Sequence, residues 1–128
     1  MSRSVLIDTD VMVDFLRGNP EAVAMMQSYS NRIILSSIVV AELYAGVRDD
    51  NELSALDRLI SLFRVIPVSP ALARAGGLYK KHYAKSHGVG LADAIIAATV
   101  DAENAELKTL NAKHYPMFKG LNPPYTKT

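Results

Sequence analysis

Residues 4–20 read SVLIDTDVMVDFLRGNP and predict a strand that leads directly into a helix. The run from Ser4 to Asp8 is apolar and β-branched and ends on an acid, which is typical of a short buried strand. The apolar residues that follow recur at helical spacing as far as Leu16, and Gly-Asn-Pro then ends the helix. A buried strand followed at once by an amphipathic helix indicates an α/β fold.

The same alternation continues along the rest of the chain. Ser36 or Ser37, and later Asp49 or Asp50, stand where a side chain can cap the start of a helix. The predicted strands are 32–35, 64–68 and 106–109, and the further predicted helices are 21–29, 38–47, 50–63, 70–87 and 91–104. Short strands that alternate with helices predict one α/β domain over residues 1–128, with a short parallel sheet flanked by helices.

The composition narrows the possible kinds of site. The 128 residues include no cysteine, which excludes disulfides, thiolate metal sites and thiol nucleophiles, and the 3 histidines are too few to favour a histidine-rich zinc site. A formal net charge of +1 means that a nucleic-acid role must rest on local patches. There is neither a signal-peptide pattern nor an apolar run of bilayer length, so we expect a cytoplasmic protein without a membrane partner.

Three acids lie on mostly apolar segments and draw attention to a possible site. Asp8 ends the first strand, where it can also serve as a helix cap. Glu42 has apolar or small residues three and four positions away on both sides, so we expect it to be shielded from solvent, in a functional site or in a buried ion pair. Asp93 begins the apolar face of its helix, where the helix dipole also favours an anion. Each acid alone has a structural explanation, whereas the three together favour a shared site.

Three carboxylates in one site repel one another at neutral pH, because each normally ionises at about pH 4. A divalent cation removes this repulsion, and Mg²⁺ prefers oxygen ligands. Such an ion polarises a phosphoryl oxygen and lowers the pKa of a bound water, and phosphodiester hydrolysis needs both effects. The acids therefore favour a metal-dependent nuclease over a metal-free one.

Four motifs in order along the chain resemble the PIN domain, and more narrowly the VapC toxins of bacterial toxin–antitoxin pairs. They are LIDT at 6–9, SIVVAELYAG at 37–46, LADAIIAAT at 91–99 and TLNAKHY at 109–115. The likeness runs from the first predicted strand to the tail. Each motif alone is short, and it is their combination in this order that makes the resemblance specific.

The resemblance implies an endoribonuclease that depends on Mg²⁺ or Mn²⁺, hydrolyses RNA such as tRNA, rRNA or mRNA, and inhibits translation. It also implies a cognate antitoxin as partner and a homodimer. Asp8 and Asp93 correspond to the acids most directly tied to the metal, Glu42 to an acid that supports or joins them, and Thr9 to a hydroxyl residue beside the first acid. Asn111 stands where many PIN domains have a fourth catalytic acid, and its neutral oxygen would hold a second metal more weakly.

Contacts to RNA are expected from basic and polar residues around these motifs. The run KKHYAKSH at 80–87 is the densest basic stretch, and its lysines can follow a phosphate backbone or form an ordinary solvated helix face. Arg48 can pair with a carboxylate as well as with phosphate, and His114 can form a structural hydrogen bond instead of a substrate contact. The candidate RNA contacts are Thr9, Arg48, Lys80, Lys81, Lys85 and His114.

Three alternative functions are also compatible with the sequence. The string Asp8-Thr-Asp10-Val fits the start of an aspartyl-phosphate phosphohydrolase, although Asp93 lacks the adjacent acid that this chemistry needs. A signalling receiver domain has a central phosphoacceptor that closes a strand, whereas Asp57 lies within a predicted helix. A PIN-like fold with little catalytic power because of Asn111, acting only as a binding partner, is the third alternative.

Overall fold

The structure is a computed structural model, and it describes residues 3–126. Strands and helices alternate, which confirms the predicted α/β class. The strands are β1 Val5–Ile7, β2 Ile33–Ser36, β3 Arg64–Ile66 and β4 Glu106–Lys108. The helices are α1 Thr9–Leu16, α2 Pro20–Ser28, α3 Ser37–Ala45, α4 Asp50–Ile60, α5 Pro70–His87 and α6 Leu91–Glu103, and a 3₁₀ turn follows at Ala112–His114.

The strands form one parallel sheet in the order β3-β2-β1-β4. After β1 the chain adds β2 and β3 on one side, and β4 then returns to the other side of β1, where Leu6 is paired with Leu107. The strand order therefore reverses between β1 and β4. In open parallel sheets, ligands bind beyond the carboxyl ends of the strands at such a reversal. The fold thus marks the ends of β1 and β4 as the place to look for a site.

Most predicted boundaries agree with the structure to within one residue, and two of the larger differences have local causes. Strand β3 was predicted to reach Val68 but ends at Ile66, because Pro67 has no backbone N–H for the sheet. Helix α4 was predicted to reach Phe63 but ends at Ile60, since the chain must turn there to enter β3. The N-caps of α3 and α4 are Ser36 and Asp49, and in each case the side-chain oxygen accepts a backbone N–H of the first turn.

Helices α5 and α6 approach each other closely at a glycine. A Cβ atom added at Gly76 would lie 2.7 Å from Ile95 Cγ1 and 3.0 Å from Ile95 Cα, whereas one added at Gly77 would meet nothing within 4 Å. Gly76 is therefore needed for packing, and Gly77 is not. Because α6 carries Asp93, this contact also helps to place that acid. Within residues 3–126, no helix combines the length and the apolar character needed to cross a bilayer.

Candidate active site

Asp8 lies directly beyond β1, at the reversal of strand order, and its side chain is held by three donors. It is 6% exposed. Its Oδ1 accepts a hydrogen bond of 2.8 Å from the backbone N–H of Thr9, as the N-cap of α1. Its Oδ2 accepts hydrogen bonds of 2.8 Å from Thr109 Oγ1 and 2.9 Å from the Tyr115 hydroxyl. Asp8 is thus both a helix cap and the centre of a buried polar cluster.

Asp93 lies in the first turn of α6 and faces the same cluster. The Tyr115 hydroxyl lies 3.3 Å from Asp93 Oδ1, and His114 Nδ1 lies 3.3 Å from Asp93 Oδ2. Burial raises the pKa of Asp93, and the nearby charge of Asp8 raises it further, while His114 acts in the opposite direction. The carboxylates of Asp8 and Asp93 therefore contact the same hydroxyl and repel each other electrostatically.

Glu42 is more exposed than the sequence suggested. Glu42 lies near the middle of α3 and is exposed to solvent. The prediction that it would be shielded from solvent is therefore wrong. The physical reason is that Ala45 and Gly46, its neighbours along the helix, are too small to cover it and are themselves exposed. Glu42 Oε1 accepts a hydrogen bond of 2.7 Å from Thr9 Oγ1. Its charge also contributes to the raised pKa of Asp93, which places it at the edge of the same acidic cluster.

Asp10 and Asn111 form a second layer of the cluster. Asp10 Oδ2 accepts hydrogen bonds of 2.9 Å from Asn111 Nδ2 and 3.0 Å from the backbone N–H of Leu110. Burial, followed by the charge of Asp8, raises the pKa of Asp10 to about 6. Asn111, at the position of the expected fourth acid, is thus tied to an acid supplied by α1.

The comparison with protein families matches residues 5–116 to the PIN domain. That span runs from β1 to just beyond Tyr115 and includes all the acids of the cluster. The chain belongs to the PIN domain family. The resemblance found in the four sequence motifs is therefore confirmed. The receiver-domain alternative loses its support as well, because Asp57 lies within α4 and does not close a strand.

Known relatives of this PIN domain include toxins and ribonucleases. Ribonuclease VapC19 of Mycobacterium tuberculosis is 42% identical over 124 residues, which cover 94% of this chain and 98% of the relative. A toxin–antitoxin complex from Klebsiella pneumoniae contains a similar fold, with a TM-score of 0.82 and 26% identity, covering 95% of this chain and 98% of that one. VapBC2 of Rickettsia felis, solved with a DNA fragment from its promoter, matches with a TM-score of 0.75 and 25% identity, over 91% and 94% of the two chains.

Among the described residues, the arginine and lysines predicted to contact RNA have no hydrogen bond or ion pair with an acid of the cluster of this PIN domain. Arg48 forms an ion pair of 2.7 Å with Glu52. Lys80 Nζ donates a hydrogen bond of 3.0 Å to the carbonyl of Val89, in the loop that precedes α6. Lys81 and Lys85 are exposed on α5. Of the six candidate RNA contacts, only Thr9 and His114 directly touch an acid of the cluster.

Two members of the cluster were missed by the sequence analysis as functional candidates. Tyr115 is 1% exposed and Thr109 is 0% exposed, and both donate to Asp8. Both lie in the TLNAKHY motif, so the motif itself was the available signal, although it does not say which side chains turn inward. Within residues 3–126, no three His, Asp or Glu side chains are gathered closely enough to form a ready-made metal centre. The site of this PIN domain is instead a pair of carboxylates with polar support.

Proposed function

We propose that this PIN domain is a metal-dependent endoribonuclease that acts as the toxin of a toxin–antitoxin pair and hydrolyses phosphodiester bonds in RNA. The observation that carries the proposal is the convergence of Asp8 and Asp93 on one hydroxyl at the reversal of strand order. A relative that is 42% identical over most of both chains and is named a ribonuclease supports the same activity. We propose tRNA, rRNA or mRNA as substrate, inhibition of translation as the result, and the cytoplasm as the place of action.

The residues present suit a divalent cation such as Mg²⁺ or Mn²⁺. Asp8 and Asp93 supply hard oxygen donors, and Mg²⁺ is commonly held by only one or two carboxylates, with water completing its shell. The pKa of Asp93 is raised first by burial and next by the charge of Asp8, and a bound cation would offset both effects by stabilising the ionised carboxylates. Asp8 and Asp93 would hold the ion, with Glu42 as a further ligand or support. When bound, the ion would polarise the scissile phosphate and activate water.

The chain's own residues hold these acids in place and shape the opening. The hydroxyl groups of Thr109 and Tyr115 orient Asp8, and His114 orients Asp93. Glu42 is exposed and fixed by Thr9, so it lies where an incoming RNA would pass. Positioned carboxylates whose hydrogen bonds are already made need little rearrangement during the reaction. We further propose that Thr9, Glu42 and His114 line the entrance for RNA.

The basic surface residues are the proposed contacts to the RNA backbone outside this opening. Lys81 and Lys85 are exposed on α5, and Arg48 keeps most of its side chain in solvent although it pairs with Glu52, since 84% of that side chain is accessible. Lys80 uses its ammonium group to hold the loop before α6, which carries Asp93. Phosphate binding by such groups is electrostatic and weakens with salt.

We propose that a cognate antitoxin covers a groove beside Glu42. The groove, about 440 Å³, lies between α1, α3 and α4, and its apolar lining includes Val13, Leu16, Leu43, Val47 and Leu56. Leu16 is 47% exposed in a position where an apolar partner segment would bury it. The charged residues of the groove, Arg17, Arg48, Glu42 and Glu52, are balanced, so the apolar lining is what a partner segment would cover. The toxin–antitoxin complex from Klebsiella pneumoniae, which contains a similar fold, supports an antitoxin as the partner.

A pair of matched variants tests this surface. Leu16→Glu places a charge in the groove, whereas Leu62→Glu places one on a leucine that is 79% exposed elsewhere. We expect only Leu16→Glu to lose inhibition by the co-expressed antitoxin, while both keep ribonuclease activity. Equal inhibition of both variants would contradict the proposed surface.

The homodimer stays a prediction, which light scattering of the antitoxin-free protein tests.

A catalytically weak binding partner is the second candidate function, because Asn111 replaces the fourth acid and is tied to Asp10. The deciding experiment incubates purified, antitoxin-free protein with total cellular RNA, in Mg²⁺, in Mn²⁺ and in chelator, beside Asp8→Ala. We expect discrete cleavage that requires both metal and Asp8, and the new RNA ends would identify the substrate. Folded protein that cuts nothing with either metal would favour the binding role.

A further inference from the structure

Tyr115 connects the two central acids through a single atom. Its side chain is among the largest that are fully buried, at 1% exposure. Its hydroxyl oxygen lies 2.9 Å from Asp8 Oδ2 and 3.3 Å from Asp93 Oδ1. These residues follow β1, begin α6 and follow the 3₁₀ turn, so three distant parts of the chain meet at one oxygen. No other side chain among residues 3–126 has hydrogen bonds to both acids.

The hydroxyl is a fixed donor under ordinary conditions. A phenol ordinarily ionises at about pH 10, so Tyr115 keeps its proton at neutral pH. The ring stacks on Phe118, with centroids 6.4 Å apart and planes 18° from parallel. A buried and stacked ring has little freedom to move its hydroxyl. The two carboxylates are therefore oriented against a rigid point.

The donors at Asp8 are unevenly distributed between its two oxygens. Oδ2 accepts from both Thr109 and Tyr115, whereas Oδ1 accepts only from the backbone N–H of Thr9 among the described residues. A carboxylate oxygen has about two lone-pair directions. Oδ2 is thus saturated, and Oδ1 keeps one direction for a further ligand. The tyrosine hydroxyl helps to determine which oxygen of Asp8 is available.

We propose that the Tyr115 hydroxyl is a positioning group that sets the orientation and spacing of the Asp8 and Asp93 carboxylates for a divalent cation. The inference rests on the proposed function in so far as these two acids bind the ion. Phenylalanine would fill the same volume and keep the stacking on Phe118. The hydroxyl therefore contributes the hydrogen bonds to the acids and nothing that packing alone requires.

A matched control exists elsewhere in the chain. The Tyr125 hydroxyl donates a hydrogen bond of 2.8 Å to Asp14 Oδ2, and Asp14 is 3% exposed. Tyr125→Phe therefore removes a bond of the same chemical kind from a buried carboxylate outside the cluster. If Tyr115 had only a structural role, Tyr115→Phe and Tyr125→Phe would both change stability and neither would change metal binding.

The experiment titrates Mn²⁺ into RNA-free wild type, Tyr115→Phe and Tyr125→Phe and measures free Mn²⁺ by electron paramagnetic resonance. Removing groups that orient metal ligands commonly weakens metal affinity by about 10-fold to 100-fold, so we expect a loss of about 10-fold in Tyr115→Phe. We expect Tyr125→Phe to match the wild type. The spectrum of bound Mn²⁺ should also change in Tyr115→Phe, because the ligand geometry changes.

The possible outcomes separate this inference from the proposed function. Equal Mn²⁺ affinity and equal bound spectra in folded Tyr115→Phe and wild type overturn the inference alone. A wild type that binds no Mn²⁺ overturns the proposed metal site, and the inference with it. If Tyr115→Phe does not fold, the same titration is made with Gly77→Ala in all three proteins, because alanine at that open helical position adds stability.

Discussion

The hydroxyl of Thr109 offers a quantitative test of how the acidic cluster is held together. Thr109 is 0% exposed, donates to Asp8 Oδ2 at 2.8 Å and accepts the backbone N–H of Asn111 at 3.1 Å. Thr109→Val keeps the shape of the side chain and removes these two bonds, together with a longer contact of 3.4 Å to Asp10 Oδ2. A hydrogen bond to a charged group contributes about 1.5–3 kcal/mol and a neutral one about 0.5–1.5 kcal/mol. We therefore expect the free energy of unfolding to fall by about 2–4 kcal/mol.

Thr99 supplies the control for this measurement. It is also 0% exposed, but among the described residues its hydroxyl donates, at 2.8 Å, only to the carbonyl of Ile95 in its own helix. That carbonyl already belongs to the helical hydrogen-bond pattern, so Thr99→Val should lower stability by less than about 1 kcal/mol. The assay is urea unfolding at equilibrium in chelator, with an unchanged slope against urea as the condition for comparing variants. A loss in Thr109→Val no larger than that in Thr99→Val would refute the reasoning.

The burial of Asp10, the close contact between α5 and α6 and the exposed lysines of α5 can each be tested by substitution. Because the pKa of Asp10 is raised from 3.8 to about 6, protonation of Asp10 stabilises the metal-free fold. Thermal unfolding in chelator should therefore show that stability is lost as the pH rises from about 4 to about 6, and Asp10→Asn should lose less stability over that range. A pH profile of Asp10→Asn identical to that of the wild type would contradict the raised pKa. Gly76→Ala should destabilise the protein by about 1–3 kcal/mol through overpacking, while Gly77→Ala should stabilise it by about 0.5–1 kcal/mol, and urea unfolding that reverses this order would count against the close helix contact. Lys81→Ala and Lys85→Ala should each reduce the slope of the logarithm of the RNA-binding constant against the logarithm of the salt concentration by about one. An unchanged slope would show that the substituted lysine is not part of the proposed RNA surface.

Local pattern was sufficient to predict most of the fold. The strand and helix periods depend on neighbouring residues, which is why the elements from β1 to β4 were predicted. Each cap was narrowed to two adjacent residues, and the structure selects Ser36 and Asp49. The parallel sheet followed from alternation alone. The errors at Phe63 and Val68 concern the ends of α4 and β3, where a single turn or a single proline determines the last residue of the element.

The candidate site was only partly predictable, because its contacts join residues far apart in sequence. Asp8, Glu42 and Asp93 were singled out as acids on apolar segments, but the small size of Ala45 and Gly46 did not by itself show that Glu42 is open to solvent. Its neighbours are small, and only the tertiary structure shows that no other element covers it. The hydrogen bond from Tyr115 to Asp8 spans 107 positions. The periodicity of a sequence does not show which residues come together over such a separation.

Single-turnover kinetics test most directly whether Asp8 and Asp93 support metal-dependent cleavage of RNA. Single-turnover cleavage of a mapped RNA site is followed for wild type, Asp93→Asn and Asp57→Asn, with Mg²⁺ and with chelator. Asp57 is an exposed acid of α4 and serves as the control. A metal site contributes several kcal/mol to such a reaction, so we expect Asp93→Asn to be slower by about 100-fold or more, Asp57→Asn to match the wild type, and chelator to stop cleavage. Cleavage by Asp93→Asn at the wild-type rate, or undiminished cleavage in chelator, would contradict the account.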